Sequence, residues 1–321
     1  MKPAPFTYHA PRSLDALTGL LGRCENARIL AGGQSLMPMM NMRFVMPDHV
    51  IDINRIAAFA TLAVTDDRIA IGATVRQAAV AASAAVRDRC PLLIEALGHV
   101  GHMQTRSRGT LCGSLCHLDP AAEMPVVATA CDAELTIAGP RGERRMSIHD
   151  WPLAYMTPNL EPDEALIGLS LPLWPSAGDR QGGGGHRQGH AFVEFARRHG
   201  DFAVVCVAAL LELDGAGRIA RAALALGGVD SRPRRLRTLE EWLAGRHPDA
   251  GTIRAAAAEA AAGEAMEDAY YSQAYRRRLA GVLTERALAT ALRRARNQEM
   301  DGQEMDGQKT DGPKMPEGSA Q

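Results

Sequence analysis

The stretch Ile29-Leu-Ala-Gly-Gly-Gln-Ser-Leu36 is a short apolar run that breaks into two glycines and a hydroxyl residue. A second break of the same kind follows at Gly109-Thr-Leu-Cys-Gly-Ser-Leu115. Each reads as a buried strand ending in a turn whose backbone N–H groups lack ladder partners. Consecutive unpaired amides form an anion-binding concavity, and glycine lets a phosphate approach the backbone closely. Two such turns suit a ligand with more than one phosphate, which points to a dinucleotide. Neither segment matches G-x-G-x-x-G, and no P-loop G-K-[ST] occurs. A glycine pair after a strand is commonly no more than a tight turn, so the inference rests on the two segments together.

At 321 residues, 46% hydrophobic and 23% charged, the chain has the size and composition of a globular protein of about two domains. Aromatics supply only 4% of residues, so the cores must be built from Leu, Val, Ile and Ala. A formal net charge of −1 offers no general attraction to nucleic acid or anionic membrane. Met1 to Ala10 lacks the apolar core of a secretory signal. The longest uncharged apolar run, Phe202 to Leu211, is too short to span a bilayer. These features point to a soluble, cytoplasmic protein. The six cysteines include no C-x-x-C pair and no group of four, so they read as small buried hydrophobes, and no metal site is expected.

Ser13 followed by leucines at helical spacing predicts a capped amphipathic helix. Arg28–Ala31 and His49–Ile53 read as strands, and Leu62–Thr65 with Arg68–Ile71 as a hairpin across Asp66-Asp67. Pro91 to Gly98 carries proline at its start and glycine near its end, the expected helix asymmetry. Pro120–Ala130 reads as a helix; Ala133–Ala138 and Glu164–Leu171 read as strands. Residues 178–189, with Gly182 to Gly185 in a row, read as a flexible linker. Beyond it, His190–Arg198, Ala203–Leu213 and Ile219–Leu226 read as three strands. Arg235–Ala244, Thr252–Ala262 and Ser272–Arg296 read as helices, giving an α+β unit. Residues 297–321, a near-tandem Glu-Met-Asp-Gly-Gln repeat decaying into Lys, Pro and Gly, read as a disordered tail.

Five segments, in order, carry a family resemblance. They are Leu30-Ala-Gly-Gly-Gln-Ser-Leu-Met-Pro38, Gln104-Thr-Arg-Ser-Arg-Gly-Thr-Leu-Cys-Gly-Ser114, Asp119-Pro-Ala-Ala-Glu-Met-Pro125, Arg197-Arg-His-Gly-Asp-Phe-Ala203 and Ala274-Tyr-Arg-Arg-Arg-Leu-Ala-Gly-Val282. On these the chain resembles the FAD-binding medium subunit of the molybdenum hydroxylases, the carbon-monoxide-dehydrogenase and xanthine-dehydrogenase-like enzymes. The resemblance implies an α+β chain. Residues 1–177 would form a FAD-binding domain of the vanillyl-alcohol-oxidase type with two α/β subdomains. Residues 190–296 would form a C-terminal flavoprotein domain with a three-stranded antiparallel sheet and helices.

By the same resemblance, Leu30, Ala31, Gly32, Gly33, Gln34, Ser35 and Leu36 would wrap the FAD pyrophosphate. Thr110, Leu111, Cys112, Gly113 and Ser114 would form a second cradle. Asp119 and Glu123 would accept from flavin ribityl or ribose hydroxyls, and Phe202 would cover one face of the isoalloxazine ring. No catalytic residue in the acid–base sense and no metal ligand is implied. The chain would take electrons from 2Fe–2S clusters on a small partner subunit, fed by molybdopterin-bound molybdenum on a large one, in a dimer of heterotrimers. It would pass them to an external acceptor.

The family commonly has two glycines in the second turn, and Cys112 replaces the first; a cysteine dislikes positive φ. A catalytic Cys112 is set against the plainer reading of a packed thiol. His99, His102 and His117 could shuttle protons, but none has an obvious positioned partner in the sequence, and a structural role is favoured. Arg232-Pro-Arg-Arg-Leu-Arg237 has no interleaved aromatics and reads as a solvated helix start. Two alternatives stay open: a stand-alone FAD-dependent oxidase or dehydrogenase of the same fold, and a scaffold that has lost its flavin.

Overall fold

The computed structural model describes residues 1–175 and 186–307, with 298–307 described as helical backbone only. Three sheets organise the chain. The first is parallel, with Thr7–His9 and Ala27–Leu30 flanking the central strand His49–Asp52. The helix Leu14–Leu21, capped by the Ser13 side chain as its sequence requires, connects the first two and buries Leu17 and Leu21. The second sheet has five strands in the order Leu62–Val64, Arg68–Gly72, Ala165–Pro172, Glu134–Gly139 and Gly142–Ser147, all antiparallel. Between them lie short helices, among them Pro91–His99, Met103–Arg108, Leu111–His117 and Glu123–Ala130.

The third sheet is antiparallel and carries a correction. It has four strands, not three: Arg187–Ala196, Ala203–Leu213, Ile219–Gly227 and the two-residue Arg234–Arg235, which pairs with Leu226 and Ala225. A strand that short has no periodicity to betray it. The strand Ala203–Leu213 is buried along almost its whole length, because both faces of this sheet are covered. One face joins the core of the first half: Phe192, Cys206, Ala208 and Ala225 pack in the cluster that includes Leu93, Val126 and Trp151. The other packs on the helices Ala250–Ala262 and Gln273–Gly307 through residues such as Val207, Leu224, Ala287 and Ala291. Two-sided burial explains why the strand reads as a continuous apolar run.

Two further expectations change. The first strand of the third sheet begins at Arg187, inside the segment read as a linker; the Gly182–Gly185 run itself lies outside the described residues. The last helix continues to Gly307, well into the segment read as disordered. Extending an existing helix needs no new nucleation, and Gln, Glu and Met are good helix formers. Residues 308–321 lie outside the described residues. Among those described, no helix is long and apolar enough to cross a membrane.

Candidate cofactor-binding site

The strand Ala27–Leu30 ends where the chain must turn sharply into the helix Leu36–Asn41. The strand is only partly buried, not the fully buried element expected. Gly33 makes the turn with φ +72°, a conformation that side-chain-bearing residues rarely adopt. Gly32 answers a different demand. A Cβ there would lie 2.5 Å from the Arg108 carbonyl oxygen and 2.8 Å from the Gly109 Cα. The first glycine segment is thus pressed backbone to backbone against the start of the second.

In the turn itself, the N–H groups of Gly33, Gln34, Ser35 and Leu36 donate to no group among the described residues. Ser35 stands at the helix start without using its hydroxyl as a cap. Successive N–H groups without an acceptor at a strand–helix junction are the kind of feature that an anion can use.

The second segment differs from its expected form. Gly109 follows a helix, Met103–Arg108, not a strand, and Leu111–His117 is itself helical. Thr110 is its cap: the hydroxyl accepts from the Gly113 N–H at 3.0 Å. A Cβ on Gly113 would lie 2.8 Å from that hydroxyl, so a side chain here would make the cap shift. Cys112, one residue earlier, lies in right-handed helix and needs no positive φ. Its side chain is buried, and burial pushes the thiol well above its ordinary pKa. A buried, protonated thiol is a poor nucleophile, so Cys112 is a packed residue that leaves the helix start intact. Ser114 is half-buried on the same helix.

A polar network, not foreseen in the sequence, ties the two segments together. Arg76 donates through Nη1 to the Arg108 carbonyl at 2.7 Å and through Nη2 to Asn54 Oδ1 at 2.6 Å. Asn54 Nδ2 donates to the Ala31 carbonyl at 2.8 Å, and Asp52 Oδ1 accepts from the Asn54 N–H at 2.9 Å. Tyr8 Oη completes the chain by donating to Asp52 Oδ2 at 2.6 Å. One guanidinium and one amide thereby hold the carbonyls of both segments at fixed separation. Asp-x-Asn after a strand was the available sign, since such residues favour local side-chain to backbone bonds.

Leu118, at φ +51°, caps the Leu111–His117 helix and turns the chain into Asp119. Asp119 Oδ1 accepts from the Ala121 N–H at 2.8 Å, so part of its acceptor capacity serves the turn. Glu123 is buried at the first position of its helix. Desolvation raises its carboxyl to about 7, and the negative charge of Glu194 adds to the shift. His99 lies 3.6 Å from Glu194 Oε1, and that contact raises the imidazole. His99 therefore has a positioned partner after all, one contributed by a strand distant in sequence. Burial lowers His117, and the negative charge of Asp119 offsets only part of that.

The Glu123 shift has a definite consequence. Its protonated form contributes stability that is complete below the ordinary value of 4.5 and lost as pH rises through about 7. The full shift corresponds to at most about 3 kcal/mol. His99 contributes with the same sign in the neighbouring window. Denaturant midpoints across pH 4.5 to 7 should therefore fall more steeply for the wild-type chain than for Glu123→Gln. Equal slopes would show that this carboxyl is not the destabilising charge.

Phe202 is 63% exposed in the loop between the first two strands of the third sheet. The loop is placed by Gly200, at φ +85°, where a Cβ would lie 3.0 Å from the Gly101 carbonyl and from the His102 ring. Gly101 and His102 immediately precede the Met103–Arg108 helix, whose far end is Gly109. That helix is about 9 Å long at the usual rise per residue. Gly32 thus meets Arg108 and Gly109 directly, and the loop that carries Phe202 sits against the start of the short helix that ends at Gly109. The basic run at 232–237 is only in part the solvated helix start expected: Arg232 and the first helical residue, Arg237, are exposed, but Arg235 is not. Arg235 is buried against Glu240 and donates to the Thr129 and Ala130 carbonyls, while Arg237 pairs with Asp132.

Residues 4–174 match the family model described as the FAD binding domain in molybdopterin dehydrogenase. Residues 190–291 match the CO dehydrogenase flavoprotein C-terminal domain. The chain is 36% identical over 298 residues to the 6-hydroxypseudooxynicotine dehydrogenase complex subunit alpha of Paenarthrobacter nicotinovorans, covering 92% of this chain and 97% of that one. It is 37% identical to the caffeine dehydrogenase subunit beta of a Pseudomonas species, covering 91% and 96%. Among solved structures, carbon monoxide dehydrogenase from Hydrogenophaga pseudoflava superposes with a TM-score of 0.85 at 31% identity, over 92% of this chain and all of that one. Quinoline 2-oxidoreductase from Pseudomonas putida 86 gives 0.85 at 33% identity, over 92% and 99%.

Proposed function

The chain belongs to the family of FAD-binding medium subunits of molybdenum hydroxylases, and from that premise we propose that it is the flavin-carrying electron-transfer subunit of a molybdenum-dependent hydroxylase or dehydrogenase. The observation that supports this reading best is the apposition of Gly32 with Arg108 and Gly109 beside four undonated amides. A side chain at Gly32 would fill the junction between the two segments, and the free donors match the acceptor-rich pyrophosphate of FAD.

Residues 1–177 would then be the FAD-binding domain, and the chain from Arg187 to residue 296 the C-terminal flavoprotein domain. Leu30 to Leu36 would hold the pyrophosphate through backbone N–H groups, with Ser35 Oγ free to add a donor. Thr110 to Ser114 would present the start of a second helix to it. Asp119, with one carboxylate oxygen uncommitted, and Glu123 would accept from sugar hydroxyls. Phe202 would offer an apolar wall to the ring. Arg76 and Asn54 would act behind these groups, keeping both segments in register.

When bound, FAD supplies the redox chemistry, taking up electrons and releasing them to an external acceptor. The protein's part is to bind, orient and shield it. The electrons would come from 2Fe–2S clusters on a small partner subunit and ultimately from molybdopterin-bound molybdenum on a large one, in a cytoplasmic dimer of heterotrimers. Substrate choice would then lie with the large subunit.

Purification of the full chain alone and with co-expressed partners tests this. The chain alone should be yellow, with absorption at roughly 450 nm from its bound flavin, and should oxidise no small substrate by itself. With partners, substrate should bleach that band. Substrate oxidation by the chain alone would favour the stand-alone flavin oxidase instead.

A further inference from the structure

His9, Cys24 and His49 come together on the first sheet, with their ligand atoms all within 4.8 Å of one another. His9 Nε2 lies 3.0 Å from His49 Nδ1 and 4.0 Å from Cys24 Sγ. The three come from separate segments: the end of the first strand, the turn before the second, and the start of the central strand. In the parallel register Thr7 opposes His49 and His9 opposes Ile51, so the two histidines share one face of the sheet. The cysteine approaches from the turn that leads into Ala27, which itself opposes His49. All three side chains are partly buried, close enough to the surface for an ion to enter.

We propose that this cluster is a zinc-class metal site that staples the N-terminal strand to its sheet. A tetrahedral Zn²⁺ with ordinary bond lengths sets its nitrogen ligands about 3.3 Å apart and a nitrogen and sulfur about 3.6 Å apart. The observed 3.0 and 4.0 Å bracket those spacings, and the remaining pair, His49 and Cys24, lies within 4.8 Å and closes toward about 3.6 Å when both bind the ion. Two imidazoles and a thiolate are a borderline-soft set that suits zinc and disfavours magnesium or calcium, which take oxygen. Three protein ligands leave a fourth position for water.

Binding requires both facing nitrogens to present lone pairs. The imidazoles carry their protons on His9 Nδ1 and His49 Nε2, and the hydrogen bond between them is exchanged for two metal bonds. Cys24 loses its thiol proton to solvent and binds as thiolate. No oxidant or reductant is involved.

The consequence is mechanical. Strand alternation places Tyr8 on the opposite face from His9, where its hydroxyl reaches Asp52 in the network that holds the Ala31 carbonyl. A metal on one face would fix the strand whose other face supports the first glycine segment.

The test uses the full chain, free of any affinity tag, titrated with Co²⁺ and, in competition, with Zn²⁺. One Co²⁺ per chain should bind, with the strong visible d–d absorption of tetrahedral geometry to the red of any flavin band. The difference spectrum should contain a thiolate-to-metal charge-transfer band. Cys24→Ser should abolish that band, and His9→Ala or His49→Ala should weaken binding at least about tenfold. Zinc should raise the thermal midpoint of the wild type and leave that of Cys24→Ser unchanged. Weak octahedral absorption, or binding indifferent to Cys24→Ser, would overturn the proposal and leave a plain hydrogen-bonded histidine pair. Flavin content is read separately on the same samples, so failure here is distinct from failure of the flavin assignment.

Discussion

Gly32→Ala should strip FAD from the chain while leaving the rest of the fold in place. The added methyl would sit 2.5 Å from the Arg108 carbonyl oxygen and 2.8 Å from the Gly109 Cα, contacts that real Cβ atoms do not make. Both are backbone atoms, and Arg76 and Thr105 restrain them: Arg76 holds the Arg108 carbonyl, and the Gly109 N–H donates to the Thr105 carbonyl at 2.7 Å. No flexible side chain can swing aside. The segments must separate, and ligand groups that depend on both then lose their geometry. A loss of about 3 kcal/mol, roughly a hundredfold in affinity, is the expected scale. Flavin per chain after gel filtration, with the dissociation constant from flavin fluorescence, measures it. Gly98→Ala is the control, because a Cβ there meets nothing within 4 Å; it should keep its flavin. Stoichiometric FAD in Gly32→Ala would mean that the close approach is not part of the binding site.

Arg276→Met should be the most destabilising change among the buried cations discussed here. Arg276 sits in the long C-terminal helix, and its guanidinium is buried. Nη1 donates to the Val204 and Gly228 carbonyls at 2.6 Å each, and Nη2 pairs with Asp268. Val204 lies in one strand and Gly228 directly follows the neighbouring one, and the two approach closely, for a Cβ on Gly228 would lie 2.3 Å from the Val204 oxygen. The Gly228 N–H in turn donates to the Pro120 carbonyl at 2.8 Å, in the loop that carries Asp119. One side chain therefore ties the helical layer to the sheet and the sheet to the first half of the chain. Methionine fills much of the same volume but leaves two buried carbonyls and a carboxylate without their donor. Leaving the two buried carbonyls without that donor costs about 1–3 kcal/mol each, and the half-exposed Asp268 adds little. Denaturant unfolding should show the loss, with Arg278→Met on the same helix as a near-neutral comparison. A change within about 1 kcal/mol of wild type would show that water replaces the guanidinium at little cost.

The parts of this molecule that were legible in its sequence share a property: the residues that specify them are adjacent in the chain. Ser13 caps the helix it was expected to cap, and the Ile29–Leu36 segment forms the strand and glycine turn that its residues imply. The Met103–Arg108 helix leaves no periodic sign because its five polar residues and single, exposed methionine define no apolar face, so the second cradle reads as following a strand. Edge strands such as Gly142–Ser147 are polar and exposed, and lack the alternation that marks a half-buried strand. Groupings made by the tertiary fold left at most a local trace, such as Asp52-Ile53-Asn54. Glu123, His99 and Glu194 come from two helices and a strand, and the Arg76–Asn54 clamp links two loops. His9, Cys24 and His49 follow no ligand spacing, which is why the cysteines read as inert. Arg235 illustrates the converse: its sequence neighbours suggested a solvated face, but contacts with Thr129, Ala130 and Glu240 bury it.

The most direct measurement is the crystal structure of the FAD-loaded chain. Oxygens of the pyrophosphate should accept hydrogen bonds from the Gly33–Leu36 amides on one side and from the Thr110–Ser114 helix start on the other. Stoichiometric flavin whose pyrophosphate touches neither segment would contradict the site proposed here.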